Sequence, residues 1–291
     1  MCLLFYAMTR RAYYSSRIGQ NPEGSNYTLS ILKRLFLAIY KDFIIQERFQ
    51  ELLGKGCVDE PESYGLAGPD VEMFFMRKLR KESLWPIPDR LEHYSEADLF
   101  DVIELLHDYV SVGTEGWMHS YAGCGMHYSR FDRSSGQSEF RTAINDILAD
   151  YSTGYELSSQ GEIIHHPEAG FEHLSQAPIP HPDYRNVGSL IDAAVLKYRR
   201  RASTIEDRRS AVLDLIHVLE FLRPQVKEYF ATKDEADLFN IANNFGLRHH
   251  NDRQRNDYDP NIWTSWMFYF YLATAHTAVR LIERGRSKPT S

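Results

Sequence analysis

Eighteen consecutive residues, Ile262 to Val279, carry no formal charge. A helix of that length reaches the lower limit for crossing a bilayer, so it either spans one or lies in a protein core. Thr264, Ser265, Thr274, His276 and Thr277 interrupt the apolar run, and its aromatic residues fill the middle instead of forming belts at the two ends. The segment therefore reads as a buried core helix. Its neighbours must then supply apolar faces, which predicts a helical bundle around it.

Upstream punctuation supports that bundle. One helix is expected over roughly 187–201. A second opens at a capping box of Ser203 and Glu206 and carries Val212, Leu215, Ile216, Leu219 and Leu222 on one face until Pro224. A third opens at Thr232 and Glu235, runs through Leu238, Ile241 and Phe245, and closes at Gly246. Asp259-Pro260 starts the last helix, proline being suited to a first turn.

The first half is also mainly helical in pattern. Thr28 to Leu53 reads as one helix stopped by Gly54 and Gly56, and Val71 to Leu79 as a short one. Ser95 and Asp98 open a helix to about Val110. Residues 113–136 read as a Gly-rich loop, with a helix resuming from Phe140 to Tyr151. Two strands around Ser158-Ser159-Gln160-Gly161 predict a small β-hairpin near 155–164. The expected class is mainly α: an N-terminal helical region over 1–166 with the hairpin, a Pro-rich linker over 167–185, and a helical bundle over 186–291.

A formal charge of -7 argues against a protein that coats nucleic acid without selectivity, and leaves room for a local basic site. Cys2, Cys57 and Cys124 are too few and too scattered for a disulfide framework, so a reducing, cytoplasmic setting is expected. Met1–Met8 is apolar, but Arg10 and Arg11 follow the run instead of preceding it, which makes a poor signal peptide. No membrane partner is expected.

Two groups of residues carry chemistry. Arg248-His249-His250-Asn251 joins a permanent cation suited to phosphate to two imidazoles that titrate near neutral pH. The same residues also suit a polar loop in which His249 and His250 cap a helix end and Arg248 pairs with Asp252, Asp257 or Asp259. His119, Cys124 and His127 are zinc-compatible types, with His107 or the His165-His166 pair as a fourth donor. Their spacing matches no standard module, so a glycine-rich surface loop is expected and no metal ligand or cofactor is assigned. Lys197, Arg199, Arg200 and Arg201 form a basic run, expected as a solvated helix end.

Over about its last hundred residues the chain resembles the HEPN superfamily, in the abortive-infection type of bacterial antiviral and toxin proteins. The likeness rests on Phe245-Gly246-Leu247-Arg248, the polar loop and long aromatic helix after it, and the upstream Asp207–Val212 and Leu219–Leu222. What the resemblance implies is a metal-independent endoribonuclease, in which the RNA 2′-hydroxyl attacks the adjacent phosphate. Arg248 would stabilise charge on the phosphate, and His250, or alternatively His249, would transfer the proton. Asn244 and Asn251 would orient the imidazoles, and Arg253 and Arg255 would bind flanking phosphates. Such enzymes usually build the cleft across a homodimer. The family's histidine four to six places after the arginine is absent, since Asp252 to Arg255 stand there. The alternative is therefore a catalytically inactive sensor or interaction protein of this kind, with an unspecified regulatory partner.

Overall fold

The computed structural model describes residues 13–18, 27–59, 63–168, 170–179, 187–226 and 259–286. The chain divides into two compact units, residues 1–163 and 164–291. Both are mainly helical, as expected.

In the first unit, α1 (Leu29–Ile45) is capped by the Thr28 hydroxyl, which accepts from the Ile31 amide. The expected single helix to Leu53 is broken. Gln46 ends α1, Glu47 takes a left-handed φ of 60°, and a separate turn, α2, covers Gln50–Leu53. The break lets Phe43 and Phe49 both reach Phe140, edge-on at 5.3 and 6.2 Å between ring centres. Burial of these large rings outweighs the helical hydrogen bonds lost at the kink. α3 (Val71–Leu79) and α4 (Glu96–Tyr109) follow at the expected places.

The stretch 113–136 is not a loop. It forms β1 (Val112–His119) and β2 (Gly125–Asp132), an antiparallel hairpin, followed by α5 (Arg133–Leu148), which Asp132 caps. Its glycines mark close approach, not loop. A Cβ on Gly113 would lie 2.1 Å from the Tyr128 ring, and one on Gly116 would lie 2.1 Å from the His127 carbonyl oxygen. The second hairpin, β3 (Tyr155–Leu157) with β4 (Ile163–His165), falls where it was expected.

In the second unit, α6 (Gly188–Arg199), α7 (Ile205–Val226) and α8 (Pro260–Arg286) share one core. Tyr198 stacks on Phe268 at 3.8 Å, and Tyr271, Leu272 and Ala275 of α8 are fully buried. The capping box of α7 is Thr204 with Asp207, one residue past the expected Ser203 and Glu206. Ser203 instead donates to the Lys197 carbonyl. Arg199 is not solvated. It is buried and donates twice to the His165 carbonyl, while Lys197 pairs with Asp214. Among the described residues, no helix is long and apolar enough to cross a membrane.

The Ser95–Asp98 box of α4 is complete, and Lys81 binds the same carboxylate at 2.9 Å. Partial burial works against ionisation there, but hydrogen bonds from Lys81 and Ser95 outweigh it and hold Asp98 down to about 2 from 3.8. A depressed carboxyl contributes stability above its ordinary value and loses it as pH falls toward the folded one. Asp98→Ala is therefore expected to cost about 1 kcal/mol at neutral pH. In urea unfolding, the gap from wild type should close between about pH 4 and pH 2.

Candidate metal centre

The β1–β2 register places His119 opposite Gly125 and Trp117 opposite His127. The connection between the strands passes through a single turn at Tyr121–Gly123, with Gly123 and Gly125 at φ of 70° and 92°. These two left-handed positions flank Cys124 and fold its side chain back onto the hairpin end. The Cys124 sulfur lies 3.0 Å from His127 Nε2.

The fourth member is Cys57, from the segment after α2. Gly54 ends that helix at φ 79°, and its Cα hydrogens face the backbone of Ser63–Gly65, where a Cβ would meet Ser63 oxygen at 2.2 Å. The chain then runs as Lys55-Gly56-Cys57 beside the hairpin. Gln50 of α2 fixes the approach: its amide donates to the Met126 carbonyl at 3.0 Å and accepts from the Tyr128 amide at 2.6 Å. Lys55 also donates to the Met126 carbonyl, and pairs with Glu47.

One donor atom from each of Cys57, His119, Cys124 and His127 thus lies within 4.8 Å of all the others. Two thiolates on a tetrahedral zinc ion, at bonds of about 2.3 Å, sit roughly 3.8 Å apart. Adjustments of up to about an ångström bring the set onto such an ion. Cys57 replaces the donors expected from sequence. His107 is instead a core histidine, 3% exposed, against Gly161, and burial lowers its pKa. His165 and His166 are not part of the donor set. The glycine-rich loop without metal ligands gives way to a donor set on a hairpin.

The surroundings suit a cation. His119 Nε2 lies 3.1 Å from Asp59 Oδ2, while its Nδ1 is buried with no hydrogen-bond partner. A carboxylate beside a histidine nitrogen is an arrangement that metal sites use. Partial burial and the adjacent Cys57 push the Cys124 thiol up, with Lys55 opposing them. The Cys124 thiol accordingly holds its proton until a cation displaces it. Trp117 stacks on His127 at 5.4 Å and 14°, covering one face of that ligand.

Arg248, His249 and His250, with Asn244, Asn251, Arg253 and Arg255, lie outside the described residues. No family model matches the chain, and neither a curated protein nor a solved structure does.

Asp59→Ala removes the carboxylate beside His119 and leaves the four donors. It is expected to weaken zinc binding about 10–100-fold in competition with a chromogenic chelator. Gln50→Ala, which frees the Met126 and Tyr128 backbone groups, is expected to lower stability by about 1–3 kcal/mol in chemical unfolding.

Proposed function

We propose that this chain is a zinc protein whose N-terminal unit is completed by one ion held on Cys57, His119, Cys124 and His127. The observation that carries this reading is the convergence of one donor atom from each of two cysteines and two histidines within 4.8 Å of one another, with a buried, unbonded Nδ1 on His119 and Asp59 Oδ2 3.1 Å from its Nε2. Four protein donors fill a tetrahedral shell and leave no position for a reactive water. The role of the ion is therefore structural: it ties the segment after α2 to both strands of the hairpin. Elemental analysis of protein purified without chelator should find zinc at one equivalent per chain. The Cys57→Ser/Cys124→Ser variant should carry none, and zinc retained by that variant would sink the assignment.

A second reading belongs to the C-terminal unit, and α7 and α8 favour it. They pack along a shared core, and the chain between them carries Arg248-His249-His250. This agrees with the HEPN-like arrangement in which a polar loop precedes a long aromatic helix. On this reading the chain is a cytoplasmic defence or toxin-type endoribonuclease acting as a homodimer, with Arg248 stabilising the phosphate and His250 or His249 moving the proton. Its inactive counterpart is a sensor or interaction protein of the same architecture. Cleavage of bulk tRNA and rRNA distinguishes them, run in magnesium-free buffer without chelator so that the zinc centre stays filled. Wild type should cleave and the Arg248→Ala/His249→Ala/His250→Ala variant should not. Equal cleavage by both would remove these residues from the chemistry, and silence of both would favour the sensor.

A further inference from the structure

We propose that Cys57 and Cys124 form a redox-modification site, in which hydrogen peroxide joins the two sulfurs, expels the zinc ion and releases the β1–β2 hairpin. The proposal rests on the zinc reading above and adds a regulation to it. Three observations lead to it. Both cysteines are only partly buried, so a small oxidant reaches them. Both sit in irregular backbone, Cys57 after α2 and Cys124 between the left-handed Gly123 and Gly125, and their sulfurs already lie within 4.8 Å. Closing to a disulfide at about 2.05 Å needs loop adjustment and no movement of a helix. The hairpin, finally, has no apolar anchoring and is otherwise tied to α2 through the Gln50 and Lys55 bonds to β2. His127 is the one buried residue of the two strands, and the apolar core of the unit contains no residue of either.

The chemistry balances without a redox change at the metal. One thiolate attacks the peroxide O–O bond, taking one oxygen as a sulfenic acid while the other leaves as hydroxide. The second thiolate attacks that sulfur, forms the S–S bond and displaces a second hydroxide. With two protons, the products are one disulfide and two waters: the cysteine pair loses two electrons and the peroxide gains them. Zinc stays divalent throughout. It is left with His119 and His127 alone, half of a tetrahedral shell, and dissociates. A two-stranded hairpin without its anchor is marginal in water. The Gln50 and Lys55 contacts to β2 are then the remaining ties to α2.

The test uses the zinc-loaded full chain carrying Cys2→Ser, so that no third thiol competes. Hydrogen peroxide is added, released zinc is read with a chromogenic chelator, and the products are mapped by mass spectrometry. The expected result is stoichiometric zinc release, loss of two hydrogens, a Cys57–Cys124 cross-linked peptide, and zinc uptake again after a thiol reductant. Retention of zinc at a peroxide concentration that fully oxidises free cysteine would overturn the proposal and leave the zinc assignment standing. Zinc loss with sulfinic or sulfonic acid and no cross-link would do the same. A chain that binds no zinc before peroxide is added would end both readings at once.

Discussion

The two-way hydrogen bond of Gln50 to β2 is the contact on which the N-terminal unit's architecture turns. A side-chain amide that is largely buried has to satisfy a donor and an acceptor, and β2 offers both through Met126 and Tyr128. Meeting that requirement fixes β2 against α2 in a single register, since a slip by one residue would present the wrong backbone groups. It also explains the interrupted helix. Had α1 continued to Leu53 without the left-handed Glu47, the rotation of the chain at residue 50 would differ, and the Phe49–Phe140 contact would be lost along with the amide bonds. Everything that follows Gln50, including the arrival of Cys57 at the hairpin end, inherits that placement.

Two kinds of stabilisation meet in this unit without overlapping. Phe36, Tyr40, Phe43, Phe49 and Phe140 join α4 and the shorter elements in a core assembled by burial, which is non-directional. The β1–β2 hairpin stands outside that core. Its attachments are directional: amide bonds from Gln50, an ammonium bond from Lys55, and four ligand atoms arranged for one ion. Directional attachments can be made and broken one at a time, whereas a packed core yields only cooperatively. A fold built in this way confines a chemical switch to the hairpin while its helices stay in place.

The helices were legible because their signals are local. Thr28, Ser95 and Asp98 announce starts, and apolar spacing at three and four residues names the buried faces of α4 and α7. Where the local signal is shared by neighbours it slips, as from Ser203 to Thr204, both able to cap. The hairpin of β1 and β2 was illegible for the opposite reason. Gly113 and Gly116 are required by the Tyr128 ring and the His127 carbonyl across the ladder, so their meaning lies in a partner strand, while the strands themselves show almost no apolar alternation. Three of the four zinc donors could be named from their types within one short stretch. Cys57 could not, because it reaches the others through the kink at Glu47 and the stop at Gly54, and neither carries any mark of a metal ligand. The basic run at Lys197–Arg201 misled in a similar way: the His165 carbonyl that holds Arg199 is far off in sequence, so a buried guanidinium read as a solvated one.

The two chemistries proposed for this chain make different demands, and that makes them compatible. Phosphodiester cleavage by an internal 2′-hydroxyl needs a base to take its proton and a cation to meet the charge on phosphate. Arginine and histidine supply both, and no Lewis acid is called for. A closed Cys2His2 centre supplies neither service, since all four positions of the ion are occupied by protein and its net charge is cancelled by the two thiolates. The ion therefore acts through the fold. Removing it should alter the hairpin directly, and any change in RNA chemistry would have to be transmitted by a conformational difference that both sites sense.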